Sequence, residues 1–194
     1  MSAGVYNIEI EQGGDYALAV TYKDSTGAVF DLTSYTAMMN IKESYLDTTP
    51  IDSLTTSSGE IKLTNGIGTS VAGTIVIDAS KFIVTVTIGS GEHGFALGDF
   101  INISGAAPAE YNAVFEVTST PTAATFTYNA VAGDTITDAS VSFYKIQANI
   151  SVDIGHGTTA AYDFSQAFYD LEITQSTTNA KVLRGRVNLI RELN

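Results

Sequence analysis

The sequence predicts an all-β protein in which a discontinuous β-sandwich host domain carries a small inserted β-barrel or Ig-like domain. Apolar and polar residues alternate with a period of two along most of the chain. Turn-forming Gly, Asn, Asp and Ser separate these short segments. Helical spacing is confined to residues 158–167, where Ala161 and Phe164 would fit one or two turns. Regularly spaced short strands of this kind are typical of sandwiches and barrels.

The host domain is predicted to comprise residues 1–80 and 146–194. In the first strand, Val5 and Asn7 fall on one face while Tyr6 and Ile8 fall on the other. Each part alone looks incomplete as a sheet, whereas the two parts together give about seven strands or slightly more. The predicted strands are residues 5–12, 16–23, 28–32, 36–44, 74–80, 146–154, 167–175 and 181–190.

Residues 81–145 form the predicted insert, because their strands are tighter and are separated by turns rich in Gly and Ala. An inserted domain needs its two ends close together, and adjacent strand ends of a host sheet provide that. The chain is therefore expected to leave the host domain near Ser80 and to return near Lys145. The predicted strands of the insert are residues 82–87, 100–103, 113–118, 125–128 and 140–144.

The charge and composition exclude several classes of function. The net charge is −12 with only nine Lys and Arg, so a cationic surface for nucleic acid or for an anionic membrane is not expected. The chain has no Cys, which excludes disulfides and thiolate metal sites. No apolar run approaches the roughly 20 residues of a membrane span. The N-terminus lacks the pattern of a signal peptide, so we expect synthesis in a cytoplasm.

The stretch GEHGFALGDFINISG, residues 91–105, holds the strongest candidates for chemistry, which are Glu92, His93 and Asp99. A zinc or iron site needs three or four convergent ligands, and the only other histidine, His156, falls in the other predicted domain. Ser90 lies on the same short loop, where the three side chains of a triad would point apart. We expect a turn here, with no catalytic residue, no cofactor and no metal.

Two weaker kinds of chemistry stay open as alternatives. Hydrolysis of glycosides would require two carboxylates flanking the bond, but the chain has no Trp to form a sugar platform. Weak calcium binding by Asp134 and Asp138, or by Asp99 with backbone carbonyls, is the other alternative.

Aromatic and basic residues supply the candidate interface. Tyr111 and Tyr162, together with Tyr45, are predicted to be exposed anchors for a protein partner, with burial in the core as the alternative. Strand alternation places Arg184 and Arg186 on one face of the last strand, and Arg191 follows close behind. Arginine suits interface carboxylates because its guanidinium binds both oxygens at once. The alternative is that these charges are solvated and block aggregation of an edge strand.

Two separated motifs resemble the small structural proteins of tailed bacteriophages. The opening, residues 1–44, has a strand ending in E-Q-G, an alternating strand, a D-S-x-G turn and then D-L-T-x-Y-x-A. The closing segment, residues 168–194, contains Y-D-L-E-I-T and L-R-G-R-V-N-L. The layout is also similar to the N-terminal β-sandwich of phage baseplate upper proteins.

The insert resembles a second phage module, one that decorates virion and tail proteins. It shares the pattern G-x-H-G-F-x-x-G-D-x-I-x-I-x-G at residues 91–105, followed by Y-N-x-x-F-x-V and T-F-T-Y. That module is Ig-like or a small barrel.

The resemblance implies a structural protein of the virion, and no enzyme. The expected role is that of a tail or baseplate adaptor subunit, made in the bacterial cytoplasm and located in the virion. Its expected partners are other virion proteins and copies of itself, as a homo-oligomer within the particle. The alternatives are a capsid or neck decoration protein, or a receptor-binding or glycan-binding module carried by the insert.

Overall fold

The computed structural model describes residues 3–78, 82–107, 109–129 and 137–191, with the backbone alone described for 137–140. Over these residues the chain is all-β, as the sequence predicts. The elements are β1 (Gly4–Val5), β2 (Ile8–Glu11), β3 (Tyr16–Val20), β4 (Thr36–Lys42), β5 (Asp52–Thr55), β6 (Ile61–Leu63), β7 (Ile67–Asp78), β8 (Ile83–Ile88), β9 (Phe100–Ser104), a 3-10 turn (Ala109–Tyr111), β10 (Val114–Thr122), β11 (Thr125–Asn129), β12 (Thr137–Ile146), β13 (Ile150–Ile154), α1 (His156–Ala160), β14 (Gln166–Gln175) and β15 (Thr178–Ile190).

The chain divides into two compact units. One, here called the split unit, combines Met1–Gly66 with Ala148–Asn194, and the other, the barrel unit, is Ile67–Gln147. In the split unit, Leu63 of β6 lies opposite Ile150 of β13, so the two ends that flank the barrel unit are neighbours in one sheet. In the barrel unit, Ile67 lies opposite Ile146. The two segments of the split unit that flank the insertion are therefore paired with each other, and so are the two ends of the barrel unit.

The larger sheet of the split unit has the strand order β1-β15-β14-β4-β5, and β2 also pairs with β15. Strands β14 and β15 form a long antiparallel hairpin whose closing pair is Gln175 and Thr178. Strands β1 and β2 both run parallel to β15 in one register, since Val5 lies opposite Arg184 and Ile8 lies opposite Val187.

The smaller sheet has the order β3-β13-β6 and shares one hydrophobic core with the larger sheet. Alternate residues of both sheets enter this core, as the period-two pattern requires. Met39 and Leu171 come from the larger sheet, and Ile61 and Val152 come from the smaller one.

Residues 67–147 form a closed six-stranded barrel with the strand order β10-β11-β8-β7-β12-β9. Its interior is a separate core in which Val84, Val86 and Phe126 are fully buried, while Thr85 and Thr87, which alternate with the valines of β8, face outward. Closure removes the free edges that an open sheet would present.

Several predicted elements differ from the structure. The strand predicted at residues 74–80 and assigned to the host domain is part of β7, which pairs with β8 and β12 of the barrel. The predicted boundary at Ser80 lies outside the described residues. The helix is residues 156–160 rather than 158–167, because residues from Gln166 onward pair as β14. Residues 28–32 contribute only an isolated bridge between Lys23 and Val29.

Candidate protein-interaction surface

The His93 loop is a structural turn in the barrel unit. The imidazole is buried, its Nδ1 accepts a hydrogen bond from the Phe95 N–H at 2.9 Å, and its Nε2 lies 3.0 Å from the Thr122 carbonyl oxygen. The ring also packs on Phe95 and Phe126. Both ring nitrogens are thus used in closing the loop.

Asp99, the other polar residue singled out in this stretch, is also engaged locally. Its Oδ2 accepts a hydrogen bond from the Ala96 N–H at 2.7 Å and pairs with Lys145 Nζ at 2.7 Å. Partial burial opposes ionisation, but these two contacts outweigh it and hold the pKa of Asp99 below its usual range. Across the described residues, no three His, Asp or Glu side chains converge as metal ligands. Asp134 lies outside those residues, as does the side chain of Asp138.

Two of the three predicted tyrosine anchors, Tyr111 and Tyr162, are buried in the core, which corrects the prediction that they are exposed. Tyr111 is fully enclosed in the core of the barrel unit. Tyr162 lies in the core of the split unit and donates a hydrogen bond to Asp52 Oδ2 at 2.6 Å. Burial, followed by the Asp52 contact, raises the pKa of Tyr162 far above its usual value. Both residues lie in segments without alternation, so the sequence pattern could not assign them to a face.

Tyr45 is exposed as predicted. Its side chain is 60% exposed, and its ring lies on Phe168 of β14 with the centroids 4.4 Å apart. Phe168 occupies the face of the larger sheet that points away from the core, because its neighbours Ala167 and Tyr169 are buried. The aromatic pair therefore belongs to the outer face of this sheet.

Arg184 and Arg186 lie on that same outer face, as their alternation predicts, and both are exposed. Lys181 takes up the nearby carboxylates, with Nζ 2.8 Å from Asp170 and 3.0 Å from Glu172. The hydrogen bonds that Lys181 donates to Asp170 and Glu172 raise its pKa. Within the part of the chain that the structure describes, neither arginine is in an ion pair.

The predicted cluster of three arginines is reduced to two. Arg191 binds Asp163 instead, with Nη2 3.1 Å from the carboxylate Oδ1 and 3.2 Å from the carbonyl oxygen. A shallow groove adjoins the other two arginines and is lined by Val5, Asn7, Tyr45, Arg184, Gly185 and Arg186. We call this groove and its lining the arginine patch. It offers two guanidinium groups beside an exposed ring, a combination that suits a partner's carboxylates and apolar side chains.

Gly185 supports the patch, and sequence reasoning did not single it out. A Cβ at this position would lie 1.8 Å from the Tyr6 carbonyl oxygen, which also accepts a hydrogen bond from the Tyr169 hydroxyl at 2.8 Å. Asn7 adds a further link through its Oδ1, which accepts the Arg186 N–H at 3.0 Å. A glycine in the interior of an alternating strand is the signal that could have indicated this close approach.

No protein-family model matches the chain, and no curated protein matches its sequence significantly. None of the helices that the structure describes is long and apolar enough to cross a membrane.

Proposed function

We propose that the protein is a structural subunit of a tailed-bacteriophage virion, and specifically a tail or baseplate adaptor that works through protein–protein contacts. In this proposal the two sheets of the split unit are a β-sandwich host domain, and the barrel unit is a domain inserted into its sequence. The partners are other virion proteins and further copies of the chain. No catalysis and no cofactor are part of the role.

The observation that carries the proposal is the contrast between the arginine patch and the rest of the polar groups. Hydrogen bonds within the chain engage the polar groups of His93, Asp99 and Tyr162. Arg184 and Arg186, in contrast, stand exposed beside Tyr45. Exposed arginine and tyrosine side by side are characteristic of protein interfaces.

The phage-like motifs support a structural role because their residues build the framework. In the D-S-x-G turn, Asp24 Oδ1 accepts hydrogen bonds from the Thr26 N–H at 2.8 Å and from the Ala28 N–H at 3.1 Å. The Y-D-L-E-I-T motif is the centre of β14, where Leu171 and Ile173 enter the core. The two motif segments lie in the split unit and contribute most strands of its larger sheet and β3 of its smaller one.

A genetic test follows directly. Phage particles that lack the protein should show missing density or stalled tails by electron microscopy, and supplying the protein should restore them. The double substitution R184E/R186E should fail to restore assembly, because it reverses the charge of the patch. Lys62→Glu is the matched control, since Lys62 is an exposed cation on β6 of the smaller sheet. Normal infectious particles without the protein would contradict an essential adaptor role.

A specific observation favours the second candidate, a binding role for the barrel unit. Leu97 is 71% exposed, and Phe100 and Val114 are also exposed on the paired strands β9 and β10. Apolar side chains grouped on a barrel exterior indicate a contact with another molecule. If this surface binds a receptor or glycan, full-length L97S/V114S should lose binding to host cells or to a glycan array. If the barrel unit only decorates the particle, neither the wild-type protein nor the L97S/V114S variant should bind in that assay.

A further inference from the structure

The free edge of β3 in the split unit is unusually poorly protected. On one side β3 pairs with β13 through five consecutive residue pairs, Tyr16 to Val20 against Ile154 to Ile150, without a register shift. On its other side, none of the described residues forms a backbone hydrogen bond with it. Natural edge strands are usually blocked by a charge, a proline or a bulge. Residues 16–22 contain neither a charge nor a proline.

An open groove runs along this edge. Two adjoining cavities, of about 540 and 410 Å³, lie between β3 and the N-terminal segment. Both are lined by Tyr6, Leu18 and Ala19. Leu18 and Val20 are only partly buried against the core. An added strand would therefore gain backbone hydrogen bonds from the edge and apolar contact from the groove.

The sequence of this edge is complementary to itself. Residues 15–23 read DYALAVTYK, so they are symmetric in character about Ala19. Two copies laid antiparallel with Ala19 opposite Ala19 bring together residues of matching size and opposite charge. The opposed pairs are Asp15 with Lys23, Tyr16 with Tyr22, Ala17 with Thr21, and Leu18 with Val20.

We propose that two copies of this chain associate by antiparallel pairing of β3 with β3, with Ala19 at the two-fold axis. This pairing would join two three-stranded sheets into one six-stranded sheet across the dimer. It deepens the proposed structural role by naming one partner and the surface that holds it. A C2 contact of this kind is isologous, because the same patch is used by both copies.

The opposite charges at the two ends of this edge favour a second copy as the occupant. Copies with a net charge of −12 repel one another, so a self-contact is favoured where like charges are absent. The β3 edge meets that condition, and its ends place a carboxylate of one copy opposite an ammonium of the other, twice. Asp15 accepts the His156 N–H at 2.7 Å, yet its side chain is 77% exposed, so it can receive a further donor.

A disulfide experiment tests the pairing and its register, since the chain contains no Cys of its own. Ala19 and Ala17 both face away from the core, so each can be replaced by Cys without loss of packing. Full-length Ala19→Cys should form a disulfide-linked dimer under mild oxidation, because paired strands bring the two Cα atoms within about 4.5–5.5 Å. Ala17→Cys should not, because position 17 lies opposite position 21. A mixture of Ala17→Cys and Thr21→Cys should cross-link.

Equal cross-linking of the Ala17 and Ala19 variants, or none at all, would overturn the proposal. Sedimentation of the wild-type protein, which has no Cys, and of its non-Cys variants measures dimerisation as a second readout. Ala19→Lys should weaken dimerisation about tenfold or more because it sets two like charges across the axis. The single variant D15K should weaken it too, and D15K/K23D should restore it. A wild-type chain that stays monomeric at every concentration would refute the dimer but leave the particle-assembly test of the proposed function unaffected.

Discussion

At the scale of single residues, some contacts in the fold are too close to admit a larger side chain. Gly185 is the clearest case, because the Tyr6 carbonyl oxygen occupies the space of its missing side chain. That same oxygen accepts the Tyr169 hydroxyl, so the N-terminal segment is fixed to β15 and β14 at one point. The arginine patch is next to this contact, since Arg184 and Arg186 flank Gly185 in the sequence.

Gly185→Ala should therefore destabilise the protein by about 3 kcal/mol or more, since backbone atoms must move to admit the methyl group. Urea unfolding measures the loss. Gly157→Ala is the matched control, because no atom lies within 4 Å of a Cβ there and alanine favours the helix. A Gly185 variant as stable as this control would show that the N-terminal segment is not held against β15.

Two buried tyrosines provide a second comparison at this scale. The Tyr128 hydroxyl in the barrel unit is buried and has no hydrogen-bond partner among the described residues, whereas the Tyr169 hydroxyl donates to Tyr6. Tyr128→Phe should thus be neutral or stabilising, while Tyr169→Phe should cost about 1–2 kcal/mol. Urea unfolding of both variants checks the contrast, and an equal loss in the two would contradict it.

The same kind of burial predicts sensitivity to alkali. Burial, followed by the nearby Tyr6, raises the pKa of Tyr16 to about 12, and burial also raises the pKa of Tyr128 and Tyr169. Because unfolded tyrosine ionises near pH 10, these groups contribute full stability below that pH. The free energy of unfolding should fall as the pH rises from about 10 to 12. Urea unfolding across this range tests it, and a constant free energy would refute it.

At the scale of elements, the sequence could predict strands but not all of their partners. Strands β14 and β15 form the predicted closing hairpin, with one register shift between Leu171 and Glu172. The short strands β5 and β6, with the sequences DSLT and IKL, are too brief to show a period. Strand β7 alternates well but was assigned to the wrong unit, because alternation specifies a buried face and not the neighbour across it.

The candidate site follows the same logic. The shared face of Arg184 and Arg186 could be predicted because it depends only on spacing within one strand. The pairing of Arg191 with Asp163, and the burial of Tyr111 and Tyr162, depend on contacts between distant segments. Local patterns carry no information about such contacts, so the sequence could not predict them.

Asn149 joins several elements of the split unit through one side chain. It is fully buried just before β13, its Oδ1 accepts the Tyr22 N–H at 2.6 Å, and its Nδ2 donates to the carbonyls of Tyr22 and Phe30 at 2.9 and 2.7 Å. These bonds satisfy the backbone where β3 ends and the following loop begins. An amide supplies both the acceptor and the donors that this arrangement needs.

Asn149→Ala should destabilise the split unit by about 2–4 kcal/mol, because it leaves buried backbone groups without partners. Asn149→Asp should also lower the stability of the split unit near neutral pH, since it replaces the amide donor with a charged acceptor that faces two carbonyls. Amide hydrogen exchange should show the loss of protection centred on residues near Tyr22 and Phe30. Unchanged exchange in both variants would show that the side chain does not hold this junction.

At the scale of the whole molecule, two separate cores predict that the units can be uncoupled. The split unit closes on itself at the point of insertion, where the Thr64 N–H donates to the Asn149 carbonyl oxygen at 3.0 Å. Replacing residues 67–147 with a short Gly/Ser linker should leave this pairing and its core in place, since the linker need only join neighbouring strands. The shortened chain should remain β-rich by circular dichroism and unfold cooperatively in urea.

Because the arginine patch lies wholly in the split unit, the shortened chain should also retain any binding that this patch provides. The R184E/R186E substitution in the same shortened chain should abolish that binding. A shortened chain that aggregates or unfolds without a transition would show that the barrel unit is needed to complete the other core.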